Sequence, residues 1–336
     1  MASTDPTLTA TASPDVAAPS HRPAVGILFL LLATTLFPIQ DVIIKQLSGE
    51  FAVHQIVFWR GVFALPIVAA FAWFEGTLWP LKLGSIPLQL ARAAAGFCSY
   101  LVYYMALAAI GLAETAAITF STPIFVTVFA MFFLGEKIGV FRWLAIVIGL
   151  IGVVVIVQPG AGVFEPAAVL ALLAAVAYAT SIILTRKLGN RTNGGSMTLF
   201  TVCFFICAGG ILGLVFSQLD VPSPHPSLAF LFREWVEPTQ QDWLFLLALG
   251  GISGVGFFAL SQAYRLAEAS VVTPFEYTYL PWAVLWGWVF FGALPAVSTW
   301  IGLTLIVGAG LLIVFRETVL GRRIVRRKGL GILRQR

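Results

Sequence analysis

Residues 113–158 read AETAAITFSTPIFVTVFAMFFLGEKIGVFRWLAIVIGLIGVVVIVQ. The stretch holds an apolar span interrupted at Thr122-Pro123, a short connection Leu134-Gly135-Glu136-Lys137, and a second apolar span from Phe141. About 157 residues downstream the pattern recurs: Leu280-Pro281 stands for Thr122-Pro123, Phe291-Gly292 for Leu134-Gly135, Trp300 for Trp143 and Gly310 for Gly152. A duplicated bundle of membrane helices follows from that recurrence.

Composition agrees. A soluble domain carries about 25 % charged residues, whereas this chain of 336 residues carries 10 %, with 59 % apolar residues and a mean hydropathy of +0.95. Crossing a bilayer core takes roughly 20 apolar residues per helix, and ten windows approach that length: about 24–46, 53–73, 93–111, 114–134, 141–158, 167–186, 195–217, 243–263, 271–291 and 297–315. The runs are continuous and do not alternate as β-barrel strands do. The expected fold class is therefore all-α integral membrane, with ten transmembrane helices. Each copy of the repeat holds five spans, an odd number, so the second copy enters the bilayer the other way up. Two inverted five-helix repeats place a solute site near the midplane between the halves. The expected division is a disordered cytoplasmic tail at 1–23, a first repeat at 24–158, a second at 167–316 and a basic cytoplasmic tail at 317–336.

Lysine and arginine set the orientation. With the N-terminus in the cytoplasm, the inner segments hold Arg22, Lys82, Arg92, Lys137, Arg142, Arg186, Lys187, Arg191 and Arg265, and the tail beyond residue 315 adds eight more; the outer loops hold only Arg233. Both termini are thus expected inside a multi-pass cytoplasmic membrane, and the basic tail reads as an anchor on anionic lipid, not a nucleic-acid site. The longest loop, 218–242, carries Pro222, Pro224 and Pro226 and then Phe230, Leu231, Phe232 and Trp235. It reads as an extended stretch leading into a short interfacial helix. Cys98, Cys203 and Cys207 read as packing residues, and the scattered His21, His54 and His225 give no metal site.

Ionisable groups within a span cost roughly 2.5 to 3.5 kcal/mol each, so each needs a partner or a purpose. Asp41 and Lys45 share a face of the first helix. Asp41 lies nine residues and Arg60 ten from a hairpin tip near Glu50, which puts them at similar depth. A pair of Asp41 with Arg60, Lys45 or both is expected, as a self-neutralising cluster or as a substrate or proton site. Glu276 sits between Pro274 and Pro281, whose rings interrupt the helix, and reads as a cavity carboxylate or as a side chain reaching the inner surface. Tyr100 and Tyr104 share one helix face and Trp282 and Trp286 another; with Tyr178, Tyr264 and Tyr277 they offer aromatic walls for a planar or cationic solute, or plain packing. Pro123, Pro274 and Pro281 are hinge candidates. The pairs Gly209/Gly213 and Gly250/Gly254 are spaced for close helix packing.

In order and duplication these features resemble the ten-helix, EamA-type branch of the drug/metabolite transporter superfamily. The residues that carry the resemblance are Asp41 to Lys45, Arg60, Tyr104-Met105-Ala106-Leu107, Pro123 with Leu134-Gly135-Glu136-Lys137, Arg142-Trp143, Gln262-Ala263-Tyr264 and Pro274-Phe275-Glu276-Tyr277-Thr278. The resemblance spans about residues 24 to 316. It implies an inverted-repeat bundle around a cavity lined by helices 1, 3, 4, 6, 8 and 9, and a secondary transporter of a small organic metabolite such as an amino-acid derivative, a riboflavin-like or an S-adenosylmethionine-like solute.

The remaining classes fit less well. A membrane-embedded enzyme needs a constellation such as H-E-x-x-H or G-x-S-x-G, a pump needs a P-loop, and a channel needs a filter or a ring of acids; the sequence has none of these. A scaffold without active transport is the alternative. The expected partners are the solute and the lipid bilayer, with no cofactor, metal or nucleic acid. A proton or other coupling ion and a homodimer are left open by the sequence.

Overall fold

The computed structural model describes residues 23–74, 76, 84–135, 139–158, 165–188, 194–218, 225–266, 272–312 and 315. Both tails, the connection around Glu136-Lys137 and the segment around Arg191 fall outside the described residues.

The described chain is helical: α1 (Pro23–Leu47), α2 (Val53–Phe74), α3 (Ile86–Ala109), α4 (Leu112–Thr119), α5 (Thr122–Leu134), α6 (Val140–Val157), α7 (Pro166–Leu188), α8 (Gly194–Phe216), α9 (Pro226–Phe232), α10 (Gln240–Leu266), a 3-10 segment Thr273–Thr278, α11 (Tyr279–Phe291) and α12 (Val297–Leu312). Seven helices are long and apolar enough to cross a membrane when α4 and α5 are taken together as the fourth span. Two shorter apolar helices, within α6 and at α12, and the ninth span made by the 3-10 segment and α11 complete ten.

The two halves pack as counterparts. α3 runs along α7 and α1 along α10, the same pairing with the halves exchanged, while α2 lies on its own counterpart α8. The fourth span leans on α7 as the ninth leans on α1. The duplicated stretch explains the local match. α5 and α11 each have 13 residues and each ends on a glycine in the left-handed region, Gly135 at φ 68° and Gly292 at φ 62°. Glycine is the residue that ends a helix there without a Cβ penalty.

The proline-marked spans are irregular where expected. Pro123 follows a break at Phe120-Ser121 between α4 and α5, and Pro274 opens the 3-10 segment. Pro38 adds an interruption that the sequence reading passed over: within α1 it removes the N–H that would bond the Thr34 carbonyl.

Small residues let α2 sit deep. A Cβ on Gly254 would meet Ile67 at 2.8 Å, one on Gly209 would meet the His54 carbonyl at 2.9 Å, and Gly250 lies against Phe63. The Gly250/Gly254 pair therefore serves helix approach, as its spacing suggests, whereas of the other pair only Gly209 faces α2 and Gly213 makes room for the Trp235 ring. The three cysteines are not packing residues. They are exposed on the helix surfaces, because the faces that pack are taken by smaller residues such as Gly96 and by larger rings such as Phe205.

One boundary and one placement differ from the sequence reading. α3 begins at Ile86, not near 93, because Pro87 sits in its first turn and the polar Arg92 is held inside the bundle by hydrogen bonds. Arg92 bonds Gln89 Oε1 at 3.0 Å, the Met197 carbonyl at 3.0 Å and Thr201 Oγ1 at 2.7 Å, so it pins α3 to α8 and does not mark a loop. The short helix α9 does form, but it packs on α3 and α2 with Phe230 fully buried, and an extended stretch at 233–239 follows it.

That stretch is strapped to the α1–α2 hairpin. Arg233 Nη1 donates to the Ser48 carbonyl at 2.7 Å and the Phe51 carbonyl at 3.1 Å. Gln55 exchanges two hydrogen bonds with the Val236 backbone, at 2.6 and 3.1 Å, and Trp235 Nε1 donates to His54 Nδ1 at 2.7 Å. Desolvation draws the Arg233 guanidinium below its ordinary range, and the nearby Glu50 carboxylate opposes this.

Candidate functional site

The centre of the bundle is a polar seam between α1 of the first half and the ninth span of the second. Asp41 is 4 % exposed, and its Oδ2 accepts the Tyr103 hydroxyl at 2.7 Å and the Tyr279 hydroxyl. The two hydroxyls lie 3.1 Å apart. Two turns down the same face of α1, Thr34 Oγ1 meets Thr278 Oγ1 at 2.9 Å. Asp41 thus joins α1, α3 and α11 at one carboxylate oxygen.

Arg60 stands beside this triad at the depth expected, but with a different partner. Its Nη1 donates to Tyr104 Oη at 2.7 Å and its guanidinium lies over the Tyr100 ring at 4.7 Å. Gln40 also donates to Tyr104 Oη, at 2.9 Å, and Ser253 Oγ of α10 fixes Gln40 Oε1 at 2.6 Å. Asp41 and Arg60 lie in electrostatic range without a direct ion pair; Tyr103 and Tyr104, adjacent in α3, hold one each. The expected Asp41–Lys45 pair is replaced as well. Lys45 Nζ donates to the Leu107 and Ile110 carbonyls, each at 2.6 Å, because the end of α3 presents carbonyls with no helical N–H partner.

A second group lies further along the ninth span. Glu276 Oε1 accepts the Tyr264 hydroxyl from α10. Tyr178 is within electrostatic range of both Glu276 and Tyr100. It shares the face of α7 that carries buried Ala171, Ala174, Ala175 and Ser181, at three- and four-residue spacings, yet it is 42 % exposed. Tyr264, 37 % exposed, shares its face of α10 with Phe257 and with Ser253, which faces α1. Tyr264 and Tyr178, with the partly exposed Glu276 bonded to the first and in electrostatic range of the second, keep accessible surface, while Asp41 and Arg60 are buried.

The other candidates are placed elsewhere. Tyr277 packs its hydroxyl on Gly310 of α12 and its ring 5.5 Å from Phe120. Trp282 stacks on Trp286 at 6.1 Å along α11. The residues that the sequence reading left out of the site are Tyr279, Tyr103, Gln40 and Ser253. Each tyrosine adjoins a quoted motif, Tyr103 just before Tyr104 and Tyr279 just after Thr278, and the signal for Gln40 is only that it adjoins Asp41.

The sequence model of the EamA-like transporter family matches residues 24–158 and 165–315. The chain belongs to the EamA-like transporter family. The two matched units are the two halves described above, and this EamA-like chain is a multi-pass membrane protein of the drug/metabolite transporter superfamily. It is 30 % identical over 303 residues to a riboflavin transporter of Rhizobium johnstonii, an alignment covering 88 % of this chain and 93 % of that one. It is 24 % identical over 294 residues to an S-adenosylmethionine uptake transporter of Rickettsia bellii, covering 88 % and 94 %. A solved crystal structure superposes with a TM-score of 0.59 at 20 % identity, covering 91 % of this chain and 98 % of that one, which speaks to the fold alone.

Proposed function

We propose that this EamA-like transporter moves a small organic metabolite across the cytoplasmic membrane by alternating access, with the solute in the space beside Glu276, Tyr264, Tyr178 and Tyr100. The observation that carries the reading is the Asp41 triad, in which a carboxylate of one half is held by a tyrosine of the other at the irregular stretch of the ninth span. A seam held by hydroxyls and a carboxylate can part, because water replaces each hydrogen bond it loses. The backbone hydrogen bond missing at Pro38 and the 3-10 segment Thr273–Thr278 give both sides of that seam places to bend. Riboflavin and S-adenosylmethionine, the solutes named for its relatives, are the first to test. The two interior carboxylates are the groups at which a coupling proton would be taken up. Both termini lie in the cytoplasm on the charge asymmetry.

The test is solute counterflow in proteoliposomes. Unlabelled riboflavin or S-adenosylmethionine trapped inside is expected to accelerate entry of the labelled solute. No acceleration by either would favour the scaffold reading.

A further inference from the structure

The short helix α9 and the stretch 233–239 form one cover over the α1–α2 hairpin and the end of α8, and a histidine holds each part of it. An indole N–H only donates. His54 Nδ1, 2.7 Å from Trp235 Nε1, is therefore the acceptor, and the hydrogen of the neutral ring sits on Nε2, which donates to the Leu231 carbonyl at 3.1 Å. His54 is fully buried, with the Phe216 ring at 5.4 Å, and Trp235 fills the room that Gly213 leaves on α8. Because the stretch belongs to the second repeat and His54 to the first, this bond ties the halves. The same logic fixes the other ring. His225 Nδ1 accepts the Ser227 backbone N–H at 3.2 Å, so its Nε2 carries the hydrogen and donates to Glu165 Oε1 at 2.9 Å.

A proton added to the two rings has opposite results. At His54 it puts an N–H against the indole N–H and a charge among rings, where no carboxylate is bonded to it. At His225 it costs the bond from Ser227 but sets a positive charge on the Glu165 carboxylate. The other charged groups of the cover stand apart from His54: Arg233 is bonded to the Ser48 and Phe51 carbonyls with Glu50 in electrostatic range, Asp242 bonds Thr239, and Glu234 and Glu237 are exposed.

We propose that the cover is an acid-released lid: proton uptake by His54 breaks the Trp235 latch, while His225 remains on Glu165 as the hinge. The latch is closed while His54 is neutral, opens as pH falls and closes again on return. The lid goes beyond the transport reading and does not depend on the solute; that the proton arrives from outside the cell rests on the orientation proposed above.

The test uses the full-length protein in nanodiscs, where the buffer reaches both faces and orientation does not matter. Cys98, Cys203 and Cys207 are replaced by serine, Glu234→Cys carries a spin label, and its mobility is followed as the pH is lowered from about 8 to about 4. The mobile fraction is expected to rise by about fivefold, the effect of one lost hydrogen bond, and to fall again on neutralisation. His54→Gln offers Trp235 an acceptor and Leu231 a donor without titrating, and should keep the label immobile throughout. Trp235→Phe removes the donor that a protonated His54 would oppose, so mobility there should not change with pH. No rise in the parent protein, or a rise that persists in Trp235→Phe, overturns the proposal. Should the glutamine fit poorly and leave the label mobile at every pH, Trp235→Phe decides: a flat response supports the latch and a rise removes it.

Discussion

The two halves of the molecule meet at two related seams of opposite character. Where the ninth span lies on α1, the contacts are Asp41 with Tyr279 and Thr34 with Thr278. Where the fourth span lies on α7, the counterpart contacts are apolar: Ile118 packs with Ala168, Ala171 and Ala106, all 6 % exposed or less. Duplication supplied the same helix pairing twice, and divergence made one seam polar. Parting the alanine seam exposes about 25 cal/mol of unfavourable free energy per Å² of apolar surface, whereas parting the polar seam exchanges hydrogen bonds with water. The polar seam is the working one in this account, and the apolar seam holds the halves together.

The largest expected effect comes from the charge at the polar seam. Asp41→Asn weakens two charge-assisted hydrogen bonds, each worth about 1.5 to 3 kcal/mol, and removes the negative charge in electrostatic range of the buried Arg60. Folded yield in detergent should fall, and the double variant Asp41→Asn with Arg60→Ala should recover part of it. Purely additive losses of yield would show that the tyrosines isolate the two groups completely. Next, Ile118→Ala at the apolar seam should destabilise by about 2 to 5 kcal/mol through the cavity it leaves, while counterflow per folded molecule stays near the wild-type rate. A selective loss of transport there would erase the distinction between the seams.

Tyr279→Phe deletes one donor to Asp41 and should cost only about 1 to 2 kcal/mol. Its signature is kinetic: a loosened polar seam should change the counterflow rate more than the thermal midpoint. The smallest effect lies outside both seams. Arg233→Ala releases the strap on the α1–α2 hairpin, and hydrogen exchange at 233–239 should speed up while counterflow changes by less than about twofold, since a partly exposed contact contributes about 1 kcal/mol or less.

Much of the architecture was legible from hydropathy and from the duplicated Leu134-Gly135 and Phe291-Gly292, because span length and helix-ending glycine are local properties. The site was half legible. Asp41, Arg60 and Glu276 stood out because charges are rare in spans, but counting charges assigns them to one another. Neutral tyrosine donors from distant helices took that role, and Lys45 went to helix-end carbonyls that no motif announces. Tyr279, one residue beyond the motif that holds Tyr277, is the tyrosine that reaches Asp41, while Tyr277 packs its hydroxyl on Gly310. Arg92 misled because a satisfied buried guanidinium and a loop arginine look alike in sequence.

The most direct test of the working seam is to lock it. Thr34 and Thr278, whose hydroxyls lie 2.9 Å apart, are replaced by cysteines in a background where Cys98, Cys203 and Cys207 are serine, and counterflow is followed under oxidising and then reducing conditions. With the disulfide closed, counterflow should stop, and a reductant should restore it to the rate of the uncross-linked protein. Counterflow that continues unchanged with the disulfide formed would mean that α1 and the ninth span stay together throughout transport.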